Sequence, residues 1–309
     1  YTINSDGSIT FTPDKRYVGT PVPVTVKRVD KNGTEVTATY TPTVTRVTPT
    51  STNAESTGIQ GQPQSGKPTF SPGDQAVPID MTKPMTFENG TDTLVVANQG
   101  TYTINSDGSI TFQPVKQFTG KATPVTVKRV DANGTEITAT YTPTVTKVIP
   151  TSTNATSTGP QGVPQTGTPT FTGGDTLVPI DESVEPTFED GSKEKKIPGQ
   201  GTYTIAPDGA VTFTPDKQFV GKPDPITVKR VDKNGTPVIA TYSPEYTKVT
   251  PTGTGTKTEG LQGQVQEGQV SFTPGHDSVP FPAGSTPLFD NHSTVKEVPN
   301  VGKFEVDAD

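Results

Sequence analysis

Two histidines, His276 and His292, are the only imidazoles in the chain, and cysteine is absent. A serine triad needs a histidine base, and a zinc centre needs three or four nitrogen or sulfur ligands. At 101 and 202 residues before His276 stand Asp175 and Asp74; before His292 stand Gly191 and Gly90. Neither chemistry can therefore belong to a repeated unit. The acidic pair Glu189-Asp190 and Glu88 sit in polar, glycine-containing loops and read as solvated turn residues. No phosphate-cradling GxxxxGK[ST] and no dinucleotide fingerprint is present. The sequence predicts no catalytic residue, no metal and no cofactor.

Three weaker signals have simpler readings. Asn4-Ser5-Asp6-Gly7 and Asp30-Lys31-Asn32-Gly33 look like the opening of a calcium loop. They lack the upstream aspartate and the closing bidentate glutamate, so two-residue turns explain them better. Asn32, Asn89, Asn133, Asn154, Asn234 and Asn291 fit the glycosylation pattern, but Asn32, Asn133 and Asn234 read as turn residues. Lys27, Asp30 and Asn32, matched by Lys128, Asp131 and Asn133, supply the types for a lysine–asparagine isopeptide. An exposed strand end with its turn is the plainer account, and loss of one ammonia per copy would decide it.

The elements that position these residues recur. Tyr1, Tyr102, Tyr203 and Phe304 are 101 residues apart, as are Phe70, Phe171 and Phe272. A fixed period marks an array of one structural unit. Within each copy, Asp6-Gly7, Asp107-Gly108 and Asp208-Gly209 mark one tight hairpin, and Asn32-Gly33, Asn133-Gly134 and Asn234-Gly235 a second. Alternation around them predicts half-buried strands. Phe11, Tyr40, Tyr102, Phe112, Phe118, Tyr141, Tyr203, Phe213, Phe219 and Tyr242 then fill a thin sandwich core. Pro42, Pro143 and Pro244 suit an edge or a bulge. The Gly/Pro/Gln stretches such as GPQGVPQTG read either as a polyproline-like surface or as segments packed on their own domain.

The most polar stretches, Pro49–Thr57, Pro150–Thr158 and Pro251–Thr258, are the expected seams. The chain then divides into 1–50, the later half of a repeat; 51–151 and 152–252, complete repeats; and 253–309, an earlier half. Either the halves are separate small subdomains, or residues 253–309 of one chain complete residues 1–50 of the next. Apolar residues make up 28% of the chain, against about 45–50% in a typical globular domain. That allows one thin core per unit and little helix. A net charge of −7 without a basic block excludes nucleic acid and anionic membrane as natural partners. No apolar run approaches the ~20 residues that span a bilayer. A cysteine-free β array fits proteins exported by Gram-positive bacteria.

The ordered set GPQGVPQTGTPTF, VPI, GQGTYTIAPDG, VTFTPDKQFVG, VTVKRVDKNG and TYTPTVTKVIPT resembles the CshA-type fibril repeat, across essentially all 309 residues. Such repeats occur in tandem in wall-anchored fibrillar adhesins of oral streptococci and related bacteria. The resemblance implies an extracellular stalk, with adhesion to host matrix such as fibronectin carried by a separate N-terminal region. Neither that region nor an LPxTG-like sorting signal occurs in these 309 residues. The expected architecture is an all-β tandem array of elongated antiparallel sandwich-like, Ig-like repeats. Its expected partners are the neighbouring repeats. The rival reading is direct, multivalent binding of host matrix, salivary glycoproteins or other bacteria.

Overall fold

The computed structural model describes residues 1–307 and, among them, holds strands and turns but no helix. The chain forms two compact units, one of Tyr1–Ile149 with Asp175–Val178, the other of Pro150–Gly174 with the residues from Pro179 on.

In the first unit, residues 50–149 make a two-sheet sandwich. One sheet is antiparallel in the order Thr93–Val96, Gly100–Ile104, Ile110–Pro114, Gln64–Gly66. The other is built on the long strand Glu136–Thr146, which carries Val125–Val130 and then Gly120–Lys121 along one edge, with Thr86–Phe87 beyond. On its other edge lies Ala54–Ile59, parallel, with Ala54 facing Tyr141 and Ile59 facing Thr146. One pairing thus departs from the antiparallel expectation. A parallel neighbour needs a long crossover, and the chain between these two strands supplies it.

Alternation places every second side chain between the sheets. Met85, Phe87, Tyr102, Ile110, Phe112, Val125, Val127, Ala139, Tyr141 and Val145 close one core there. Val125 faces Tyr141, yet Lys121 faces Thr144. The two edge segments are therefore out of step by one residue along the long strand, as at a bulge, and Pro143 lies in that interval.

The second unit repeats the plan. One sheet runs Glu194–Ile197, Gly201–Ile205, Val211–Pro215, Gln165–Gly167, and the other runs Ala155–Pro160, Pro237–Thr247, Ile226–Val231, Thr187–Phe188. Its core is Phe188, Tyr203, Ile205, Val211, Phe213, Ile226, Val228, Tyr242 and Tyr246.

The stretches expected as seams are structured. Thr50–Thr52 pairs with Thr69–Ser71, and Thr151–Thr153 with Thr170–Thr172. Ser51 Oγ donates to the Thr138 carbonyl at 2.6 Å, and the Thr140 amide donates to Asn53 Oδ1 at 2.8 Å. Ser152 and Asn154 do the same for Ile239 and Thr241. These polar segments are edge strands, because threonine and serine suit a half-exposed ladder.

Candidate functional site

The hairpin residues have a common geometry. At Asp107-Gly108 the Gly108 amide donates to the Asn105 carbonyl at 2.9 Å, and the Asn105 amide to the Ser109 carbonyl at 2.8 Å. The loop is therefore three residues long, not two, and only glycine takes positive φ. Gly7, Gly108 and Gly209 stand at 86°, 83° and 89°, and Gly33, Gly134 and Gly235 at 84°, 78° and 80°. A type I turn with a one-residue bulge needs a single left-handed position, and the aspartate serves as an acceptor instead. Asp6 and Asp107 each accept from the amide and hydroxyl of the serine two residues on, while Asp208 accepts from the Ala210 amide. The Ser8 and Ser109 hydroxyls, followed by the serine amides, hold the Asp6 and Asp107 carboxyls below the usual carboxylate range.

At the second hairpin, Asp30 and Asp131 accept from the amides of Asn32 and Thr34, and of Asn133 and Thr135. Asp232 does the same for Asn234 and Thr236. Asp131, Asp232 and Asn234 are buried, unlike the exposed strand end expected from the sequence, because the carboxylate lies beneath the turn it caps. The lysine of the isopeptide set points elsewhere: Lys27 pairs with Glu35 at 3.0 Å and Lys128 with Glu136 at 3.8 Å. His276 Nδ1 accepts from the Ser278 amide, and His292 is a turn residue at φ 60°. Among the described residues, no three histidine, aspartate or glutamate side chains converge as a metal site would require.

The aromatic positions lie on the inner faces. Tyr102, Phe112, Tyr141, Tyr203, Phe213 and Tyr242 are fully buried. Phe118 and Phe219 are half-buried and stand edge-on to Phe112 and Phe213. Phe11 and Tyr40 are also half-buried. Burial pushes the Tyr102 and Tyr203 hydroxyls far above their ordinary pKa, and each donates to a backbone carbonyl, of Thr123 and Asp224. Phe87, Phe188 and Tyr246 complete the cores in addition to the aromatics expected from the sequence. Tyr246 had a signal, since it stands four residues after Tyr242 and so on the same face of one strand.

A polar grip on the long strand escapes sequence reasoning. Ser56 Oγ donates to Gln64 Oε1 at 2.6 Å and meets the Tyr141 hydroxyl at 2.7 Å; Gln64 Nε2 donates to the Thr144 carbonyl at 3.1 Å. Gln60 Nε2 donates to the Lys116 carbonyl, and its Oε1 accepts from the Val148 amide. A Cβ added at Gly66 would fall 2.4 Å from Tyr141 Cε2. Ser157, Gln165 and Gly167 hold the strand of Tyr242 in the same way. The Gly/Pro/Gln stretch is thus packed on its own domain, and its spaced glycines make room for a tyrosine ring.

Outside the cores, the first unit has a groove of about 780 Å³ where residues 13–18 and 44–47 meet the Asn133 hairpin. Lys15 Nζ donates to the Ala132 carbonyl at 3.2 Å, and Arg16 Nη2 to the Gly134 carbonyl at 3.0 Å. This is a joint between a half repeat and the repeat that follows it. Between the two complete repeats the large exposed apolar side chains do not recur, although Val220 has an exposed counterpart in Val18. Met81, Val95, Val115 and Ile149 are matched by Glu182, Lys196, Asp216 and Thr250. Leu177, Val184, Val220 and Ile239 are matched by Ala76, Lys83, Thr119 and Thr138.

Comparison with known proteins gives a family. The profile of the surface adhesin CshA repetitive domain matches residues 1–44, 46–145, 147–246 and 248–309. Repeat domain 13 of the fibrillar adhesin CshA from Streptococcus gordonii, solved by NMR, is 90% identical over 23% of this chain and 90% of its own, with a TM-score of 0.15. Mouse cadherin-23 domains EC22–24 are 14% identical over 77% of this chain and 78% of their own, with a TM-score of 0.32. The I9–I11 tandem of titin is 12% identical over 73% and 74%, with a TM-score of 0.28. No curated protein matches the chain.

Proposed function

The chain belongs to the CshA repetitive-domain family of surface adhesins, and from that premise we propose that its repeats are spacers, carrying an adhesive region away from a bacterial cell wall to which the parent protein is anchored. The spacing unit is one 101-residue sandwich, 51–151 or 152–252, with no catalytic centre of its own. The observation that carries this reading is that none of the large exposed apolar side chains recurs between the two complete repeats. A multivalent adhesive array needs the same grip in each copy, whereas Met81 gives way to Glu182 and Val95 to Lys196. The aromatic and glutamine side chains that do recur are used to close the cores. What repeats on the outside is threonine-rich and hydrated, a surface suited to a spacer that does not stick.

The test is surface binding of this 309-residue chain to fibronectin, salivary glycoprotein and whole partner bacteria, beside an adhesive fragment as positive control. The spacer reading expects no saturable binding to any of them. Saturable binding that weakens when exposed repeated threonines are substituted, with folding intact, would make the array itself the adhesin.

A further inference from the structure

Methionine occurs at two places in the chain, Met81 and Met85, and the fold treats them oppositely. Met85 is 4% exposed and belongs to the core of the first complete repeat. Met81 is 72% exposed, on the loop that leads from Asp80 to Lys83. That loop is tied at its start. The Asp80 amide donates to the Val130 carbonyl at 2.9 Å, and Asp80 Oδ1 accepts from the Thr82 amide and hydroxyl.

The exposed thioether has one polar partner. Met81 Sδ accepts from Arg129 Nη1 at 3.7 Å, and the same nitrogen reaches the Lys83 carbonyl at 3.4 Å. A thioether is a weak acceptor, so it fastens the loop only loosely to the strand Val125–Val130. The later repeat keeps the arginine and changes its partner: Arg230 stands at the position of Arg129, and Glu182 at that of Met81. There Arg230 Nη2 donates to Glu182 Oε2 at 2.6 Å, a charge-assisted bond in place of a weak contact to sulfur. The Glu182 side chain is 76% exposed, so the corner is open to solvent in both repeats.

The two repeats therefore show one brace, with and without an acceptor oxygen. Oxidation of the thioether supplies that oxygen. A sulfur lone pair attacks one oxygen of hydrogen peroxide, the O–O bond breaks and an S–O bond forms. The departing hydroxide takes the proton left on the transferred oxygen and leaves as water. Sulfur loses the two electrons that the peroxide gains. The product side chain is polar, and with sulfur 3.7 Å from Nη1, an oxygen bonded to it on the guanidinium side comes within hydrogen-bonding distance.

We propose that Met81 is a site of peroxide modification, and that its sulfoxide takes from Arg129 the bond that Glu182 takes from Arg230. Oxidation here tightens the loop, because the side chain leaves no core when it becomes polar. At Met85 the same chemistry would place a sulfoxide among Phe87 and its neighbours, and burial withholds it. Reduction of the sulfoxide returns the loose state.

Treating the full chain with hydrogen peroxide, mapping peptides by mass and following the Arg129 guanidinium protons by NMR tests this. Met81 should gain one oxygen roughly tenfold or more faster than Met85, whose core must open first. As it does, the Arg129 protons should become protected from exchange with water, and a methionine sulfoxide reductase should reverse both changes. Met81→Glu should show the protected Arg129 without peroxide. Met81→Leu, a change at an exposed position, should leave Arg129 unprotected before and after treatment. Oxidation of Met85 as fast as Met81, a Met81 sulfoxide that leaves Arg129 exchange unaltered, or the same protection in peroxide-treated Met81→Leu would each overturn the proposal.

Discussion

Residues 1–50 and 102–151 are the same sequence at all but twelve positions, and they differ sharply in how they are closed. Both form the Asp-Gly and Asn-Gly hairpins, with the glycines at nearly the same φ. Both hold the tyrosine–phenylalanine–tyrosine cluster at nearly the same spacing. Yet Tyr102, Phe112 and Tyr141 are fully buried, and Tyr1, Phe11 and Tyr40 are not. The difference is the preceding half repeat, which brings Ser56, Gln64, Met85 and Phe87 onto the 102–151 segment. Local sequence therefore suffices for the hairpins, while closure of the core needs residues distant in the chain. A tyrosine buries about 150–250 Å², so covering the exposed half of Tyr1 is worth about 2–3 kcal/mol at 25 cal/mol per Å².

The strongest way to break the comparison is to fill the slot under the long strand. Gly66→Val places methyls where the Tyr141 ring lies, and such overpacking costs about 1–3 kcal/mol or more. The same change at Gly268 meets no ring and should leave the melting of the chain nearly unaltered. Calorimetry on the two variants reads this directly, since the array is expected to melt in more than one transition. Equal losses at both positions would show that the glycine matters for the backbone alone.

A smaller effect separates the two tyrosines by one oxygen. Tyr141→Phe removes one of the two partners of Ser56, which keeps Gln64 Oε1, at a cost of about 0.5–1.5 kcal/mol. Tyr40 has no Ser56 counterpart beside it in its own half repeat, so Tyr40→Phe should change stability by a few tenths of a kcal/mol at most, within the usual spread for surface changes. Denaturant unfolding of both variants at low protein concentration makes the comparison.

The all-β class and the family were legible because their signals are local or periodic: alternating Thr, Val, Ile and Tyr, and an unbroken 101-residue step. The parallel pairing was not. Its partners, Ala54–Ile59 and Tyr141–Thr146, lie 87 residues apart, and nothing in a polar stretch such as PTSTNAEST announces a strand whose mate is so distant. Gln60 and Gln64 were hidden for another reason. Glutamine reads as a surface residue, and only the structure shows backbone carbonyls placed to receive it. The turns were legible as turns, while their three-residue length depends on where the aspartate oxygen finds its amides.

The joint should give a still smaller energetic effect but a clear dynamic one. Lys15 and Arg16 reach the Asn133 hairpin with exposed side chains, so removing both should cost no more than about 1 kcal/mol. Amide relaxation should nevertheless show residues 1–50 tumbling more independently of residues 51–149 in the double alanine variant. Unchanged relaxation would assign the joint to apolar packing around Val47 and Val77 instead.

The smallest effect distinguishes the two complete repeats. In the later one, Lys233 Nζ lies 2.6 Å from Asp181 Oδ1. In the earlier one the matched position is Ala132, while Asp80 accepts from Thr82 just as Asp181 accepts from Ser183. The Lys233 contact, helped by Ser183, lowers the Asp181 pKa to about 2. A carboxyl whose folded pKa is depressed stabilises the fold above its unfolded value of about 3.9. That stabilisation is then lost progressively as pH falls from about 4 through about 2. The pair is solvent-facing, so salt should weaken it. Following the Ser183 and Thr82 amides by NMR through an acid titration reads both carboxyls at once. Ser183 should titrate at the lower pH, and Lys233→Ala should bring its midpoint up toward that of Thr82. A Ser183 midpoint indifferent to both salt and Lys233→Ala would show that the turn hydrogen bonds, common to both repeats, hold the Asp181 charge without help from the lysine.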